Sequence, residues 1–162
     1  MDQLQPWSDF NVAMVGATAA LAGLVIVAMS VNISAIVASR VLSSRLAAAI
    51  STLVLAIGVS GLGLMPSIGL RTYGTVVVVG TLAAGVVQAH TMATIAHDPN
   101  TPSYGRLLKP LPGLIALLVY LVGAILLLAN ADDGLVLLAS GTLLAIFGSV
   151  LMSWIVLVEV RR

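Results

Sequence analysis

Five apolar runs, each long enough to cross a lipid bilayer as a helix, occupy most of this chain. They fall at residues 11–38, 46–66, 73–97, 111–129 and 134–158, with short polar connections between them. About 20 helical residues cross the roughly 30 Å hydrocarbon layer. A helix satisfies its own backbone hydrogen bonds in lipid, whereas an open strand does not. The sequence therefore predicts an all-α fold, an integral membrane bundle of five transmembrane helices, as a single transmembrane domain over residues 1–162.

The composition excludes several classes of function. Charged residues make up 8% of the chain, whereas soluble domains carry about 25%. The formal net charge is +1, which argues against a nucleic-acid partner because such modules are strongly basic. Cysteine is absent, so thiolate catalysis, disulfides and cysteine-based metal sites are excluded.

The basic residues predict an orientation. Six of the seven Lys and Arg residues fall on one side if the five runs alternate across the membrane, and only Arg71 falls on the other. Because Lys and Arg are enriched in cytoplasmic loops, we expect the N-terminus outside and the C-terminus in the cytoplasm. Arg40 and Arg45 are interpreted as anchors in the first cytoplasmic connection. The start of the chain carries Asp2 and Asp9 rather than Lys or Arg, so we expect the first span to be retained.

Small residues recur at helical spacing on several of the predicted spans. Gly and Ala on one face let a neighbouring helix approach closely in lipid. The candidates for helix packing are Gly16, Ala20, Gly23, Gly58, Gly61, Gly85, Gly141 and Gly148. The glycines at the end of the second run, followed by Pro66, also predict a weakened or broken helix there.

Polar residues inside the predicted spans are candidates for interhelical contacts or for lining a pore. Thr81, Gly85, Gln88 and Met92 share one face of the third span, and we expect Gln88 to face the bundle. Asn32 is expected to bond across helices or to reach lipid headgroups. These side chains are the ones that a pathway for a small solute would use.

No constellation of reactive groups suggests catalysis, and we predict that the protein is not an enzyme. No Asp, Glu, Lys or Arg lies in the centre of a predicted span, although charged transport and proton coupling usually require such groups. His90 is the one candidate cofactor ligand, as an axial ligand of haem. His97 lies about 10 Å further along the same helix and cannot bind the same iron. A metal site at His97 and Asp98 lacks further ligands, so no cofactor or metal is expected.

The first span carries a resemblance to a known group of proteins. The stretch from Phe10 to Asn32, FNVAMVGATAALAGLVIVAMSVN, has a leading Phe, turns rich in Gly and Ala, and then Gly-Leu, Val-Ala, Ser and Asn. In this it resembles a family of uncharacterised small bacterial membrane proteins, of the actinobacterial type. The resemblance implies a multi-pass protein of the bacterial inner (plasma) membrane, and it brings no activity or functional residue with it.

Three functions remain open from the sequence. The first is a non-enzymatic subunit of a homo- or hetero-oligomeric membrane complex, with membrane lipids and further subunits as its partners. The second is a small channel or carrier for a small or uncharged solute, built on the Gly58–Gly63 region and the stripe of Thr81 and Gln88. The third is a membrane anchor associated with haem or quinone through His90.

Overall fold

The computed structural model describes residues 3–97 and 111–160, together with the side chains of these residues except those at 156, 157, 159 and 160. Of the positions used to predict the orientation, Asp2, Arg106, Lys109, Arg161 and Arg162 lie outside the described residues, and so does Asp98 of the rejected metal site.

The described residues form an all-α bundle, as predicted. After a short 3-10 turn at Gln5–Trp7, the helices are α1 (Ser8–Val31), α2 (Ile33–Ala38), α3 (Arg40–Leu62), α4 (Leu70–Ala96), α5 (Leu111–Leu128) and α6 (Asp133–Val160). All but α2 are long and apolar enough to cross a membrane. The five predicted spans are therefore confirmed as helices, with ends that differ from the predicted ends by up to seven residues.

The largest differences lie around the first connection. The predicted first span breaks at Asn32, where the backbone leaves helical geometry (φ −110°, ψ 22°) between α1 and α2. Ser39 then caps α3 by accepting a hydrogen bond from the backbone N–H of Leu42 at 3.3 Å. As a result α3 begins at Arg40 rather than at residue 46, and Arg45 belongs to a helix rather than to the loop in which it was predicted.

The glycines late in α3 do not break it. The helix runs through Gly58 and Gly61 and ends at Leu62, before Gly63 and four residues short of the predicted end at residue 66, so the predicted weakening appears at the last of the three glycines and not at the first two. The chain turns only afterwards, where Ser67 has a φ of 60°. A similar turn joins α5 to α6 at Asn130, with a φ of 58°, because asparagine tolerates left-handed geometry better than most residues.

Four helices form a ring, and the first helix lies outside it. Each of α3, α4, α5 and α6 packs on two neighbours in the order α3–α4–α5–α6–α3, while α1 packs mainly on the outer side of α3. We call the end of the bundle at which α1 begins the Trp7 end, and the opposite end, at which α3 begins, the Arg40 end. At the Trp7 end the Nε2 of Gln3 donates to the Asp132 carboxylate at 2.7 Å, which ties the start of the chain to the α5–α6 turn.

The helices differ in how much of their surface the bundle covers. Of the five spans, α1 has the smallest buried share, 17%, and α3 has the largest, 56%. The buried residues of α1 are confined to one side, which carries Asn11, Thr18, Ala22 and Val25. Most of the surface of α1 therefore faces away from the rest of the chain.

Candidate functional site

The small-residue face of α1 is the first candidate site, and it points outward. Gly16, Ala20 and Gly23 are exposed, and a Cβ atom added at Gly16 or Gly23 would meet no heavy atom within 4 Å. At about 100° per residue, this face lies about 150° or more from the side that Thr18 and Val25 bury against α3. These three residues therefore do not pack helices within the part of the chain that the structure describes. The face remains open to a neighbour from outside it.

The other predicted packing residues divide into two groups. Gly141 lies against the ring of Tyr120, with its added Cβ 3.0 Å from the nearest ring carbon, and Gly148 lies against Pro112. These two pack helices as expected. In contrast, Gly58, Gly61 and Gly85 have open space where a Cβ would stand, so they are not needed for close approach within the chain.

The closest helix approaches use glycines that the sequence analysis missed. A Cβ at Gly74 would lie 2.9 Å from the backbone oxygen of Ala124, and one at Gly134 would lie 2.6 Å from that of Gly123. Gly113 leaves room for the amide group of Gln88. Gly123 and Gly134 lie on the two arms of the α5–α6 hairpin. Their placement on consecutive predicted spans was the feature of the sequence that could have indicated a close approach between them.

Polar side chains fill the interior of the ring. Thr81 and Gln88 are each 4% exposed, which confirms that Gln88 faces the bundle. Met92, predicted on the same stripe, is 38% exposed and lies outside the interior. Other interior polar residues are Thr52 and Ser60 on α3, Thr91 on α4, and Thr142 and Ser149 on α6.

Several of these groups hold the helices together by hydrogen bonds. The hydroxyl of Tyr120 donates to Oγ1 of Thr142 at 3.0 Å, and that of Tyr73 donates to the backbone oxygen of Val59 at 2.8 Å. Thr91 donates to the backbone oxygen of Ser44 at 2.9 Å. In the part of the chain that the structure describes, the hydroxyls of Ser60 and Thr81 are buried without a hydrogen-bond partner.

A small cavity lies among the polar groups nearer the Arg40 end. Its volume is about 20 Å³, and Thr52, Gln88, Thr91 and Ser149 contribute to its wall. A cavity needs roughly 10–15 Å³ of this kind of volume and two to four polar partners to hold a water molecule. This cavity can therefore hold one water but no solute of several heavy atoms.

Arg45 is buried in this interior, contrary to the prediction that it is an anchor in a loop. Its side chain is 0% exposed, and its Nε donates to the sulfur of Met152 on α6 at 3.3 Å. It lies about 7–8 Å along α3 from Arg40. Arg40 remains exposed at the start of the helix, so only Arg40 fits the predicted role. A buried ionisable residue in a span is costly and usually has a function.

Asn32 does not bridge helices. Its side-chain nitrogen donates to the backbone oxygen of Ala28, one turn earlier, at 2.9 Å. The prediction of a contact across helices is therefore wrong, because the end of α1 supplies a free carbonyl within easier reach.

His90 and His97 are both exposed and line one side of a groove at the Arg40 end. The Nδ1 of His97 lies 2.7 Å from the backbone oxygen of Ala93. Within residues 3–97 and 111–160, no three His, Asp or Glu side chains group as metal ligands. The chain matches no protein-family model, no curated protein and no solved structure at a significant level.

Proposed function

We propose that this protein is a non-enzymatic membrane subunit that assembles with further copies of itself through the outward face of α1. The observation that carries this proposal is the open space beside Gly16 and Gly23 on the face opposite the buried side of α1. In lipid there is no hydrophobic drive between helices, so association depends on close packing at small residues.

A second copy is the partner that suits this face best. The copies share one orientation in the membrane, so a two-fold axis along the membrane normal would bring the face of α1 against its own equivalent. Gly16 and Ala20 stand one turn apart, and Gly23 continues the same face. Helices with this spacing cross closely with backbones in contact.

The number of subunits in each complex tests this proposal. Photobleaching of single labelled complexes in membranes should show two or more steps for the wild type and mainly one step for Gly23→Leu, because the larger side chain would keep the helices apart. Gly23→Ala should have a milder effect. Ala89→Leu, at an exposed position on α4, is the matched control and should behave as wild type. Equal step counts for Gly23→Leu and wild type would contradict the proposal.

The same proposal places the protein in a bacterial plasma membrane, with the Trp7 end outside and the Arg40 end in the cytoplasm. The support for this orientation is the six-to-one distribution of Lys and Arg in the sequence, of which Arg40 and Arg71 are exposed at opposite ends of the described bundle. Reporter fusions at both termini test it. Activity of a cytoplasmic reporter at the C-terminus alone is expected, whereas cytoplasmic signals from both termini would exclude this orientation.

A second candidate function, a carrier or channel for a small uncharged solute, has one observation in its favour. The hydroxyls of Ser60 and Thr81 are buried without a partner among the described residues, and the cavity beside Gln88 has further polar groups in an otherwise largely apolar wall. Such groups could bind a passing solute once the ring opens. Flux of water and glycerol into proteoliposomes should then exceed that of empty liposomes and fall for Gln88→Leu, with Met92→Leu as the control. Flux equal to that of empty liposomes would exclude this function.

A further inference from the structure

A continuous groove runs along the outside of the bundle between α3 and α4, with α2 beside it at the Arg40 end and Met29 of α1 at its edge further along. Its part at the Arg40 end is polar, and Arg40, Ser43, His90, Thr94 and His97 contribute to it. Its other part is almost wholly apolar, has a volume of about 700 Å³, and includes Val54, Gly58, Gly80 and Ala83. Ala47 lines both parts, so the polar part leads directly into the apolar part.

The geometry points to an anionic phospholipid as the occupant of this groove. We propose that its phosphate headgroup binds at the polar part, beside Arg40 and the two histidines, and that an acyl chain lies along the apolar part toward Gly58. The proposal does not depend on the assembly through α1, which uses the opposite side of that helix.

Charge is the first argument for this occupant. Among the described residues, those that line the polar part include one arginine and two histidines and no carboxylate. The hydroxyls of Ser43 and Thr94 donate to the backbone oxygens of Ile36 and His90 and so have no proton left for a phosphate, whose contacts would come from Arg40 and the two histidines. Basic pockets between transmembrane helices are a known form of site for lipid phosphates.

The fit along the membrane normal is the second argument. Arg40, Ala47, Val54 and Gly58 lie on one face of α3, because their spacing of seven, seven and four residues brings each back to nearly the same angle. From Ala47 to Gly58 the helix rises about 16 Å, close to half of the roughly 30 Å hydrocarbon layer. One acyl chain of a single leaflet therefore spans the apolar part.

Small residues on α3 and α4 leave the space that forms the apolar part of the groove. Gly58 on α3 is exposed, with no atom within 4 Å of an added Cβ, and Gly80 on α4 packs against the side chain of Leu55, whose Cδ1 would lie 3.0 Å from an added Cβ. Larger side chains at these points would fill the space. A transmembrane helix of a second copy would leave the basic end of the groove without a partner, which favours the lipid.

Native mass spectrometry of the purified full chain tests the headgroup contact. The protein is stripped of lipid and titrated with dioleoylphosphatidylglycerol or dioleoylphosphatidylcholine, which differ only in the headgroup. Wild type should retain the anionic lipid about fivefold better, the preference expected of one basic residue near an anionic surface. Arg40→Gln should bring the ratio near one, and Arg40→Lys should keep it. Arg71→Gln, an exposed arginine at the other end, is the control and should match wild type.

A second arm tests the acyl-chain contact and the source of the phosphate. Gly58→Leu should lower retention of both lipids, whereas Ala89→Leu should not, and circular dichroism checks that both variants keep their helices. Inorganic phosphate at the same concentration as the lipid should not compete. Equal retention of the two lipids by wild type, an unchanged ratio for Arg40→Gln, or full competition by phosphate would overturn the proposal. So would a change in oligomer mass for Gly58→Leu without a loss of lipid, which would assign the groove to a second copy.

Discussion

Gly123 on α5 and Gly134 on α6 bring the backbones of the two arms of a hairpin into direct contact. A Cβ at Gly134 would lie 2.6 Å from the oxygen of Gly123, and one at Gly123 would lie 3.0 Å from the oxygen of Gly134. The contact is therefore reciprocal, and neither position has room for a side chain. Because the nearest obstacle at Gly134 is a backbone oxygen, with the side chain of Leu127 next at 2.9 Å, the hairpin must shift to admit even a methyl group there.

Gly134→Ala should destabilise the protein by about 1–3 kcal/mol, the usual cost of overpacking. Gly85→Ala makes the same change on α4 where the added Cβ meets open space, and it should be neutral or slightly stabilising. Unfolding in mixed detergent micelles, followed by circular dichroism, measures both. Equal stability of the two variants would show that α5 and α6 are not in contact at these glycines.

Arg45→Ala should cost about 2–5 kcal/mol of stability, because a large side chain that is 0% exposed would leave a cavity between α3 and α6. Arg40→Ala removes the same side chain from the exposed start of α3 and should leave the unfolding midpoint unchanged. The comparison separates a buried arginine from an interfacial anchor. Similar losses at both positions would support the loop placement that the sequence predicts and contradict the structure.

Gln88→Leu should weaken folding by roughly 0.5–2 kcal/mol, the range for a lost interhelical hydrogen bond in a membrane protein. Leucine is close in size, so the effect reports mainly on the amide, which lies against Gly113 in the polar interior. Met92→Leu, one turn further along the same face at a position that is 38% exposed, is the control. An unfolding free energy for Gln88→Leu equal to that of wild type would mean that hydrogen bonding by the amide contributes no net stability.

The spans were predictable from the sequence because length and hydropathy alone decide whether a helix can cross a bilayer. The polar interior was predictable in part, since Thr81 and Gln88 stand out within an apolar helix. The burial of Arg45 was not predictable, because it depends on the N-cap at Ser39, which starts α3 at Arg40 and so places Arg45 within the helix. The packing partner of each glycine was also not predictable. A face of small residues has the same sequence pattern whether it packs against a helix of its own chain, as at Gly141, or against none of the described helices, as at Gly16.

The central claim is that α1 meets a second copy through Gly16, Ala20 and Gly23. The chain contains no cysteine, so a single introduced cysteine cannot form a disulfide within the chain, and a disulfide between two copies is identified by its doubled mass. A disulfide requires Cα atoms about 4.4–6.8 Å apart, a separation that close helix packing at these small residues allows. Oxidation in native membranes should convert Ala20→Cys to a covalent dimer and leave Leu118→Cys, exposed at a similar depth on α5, as monomer. Absence of the Ala20→Cys dimer, or equal dimer from both variants, would contradict the account.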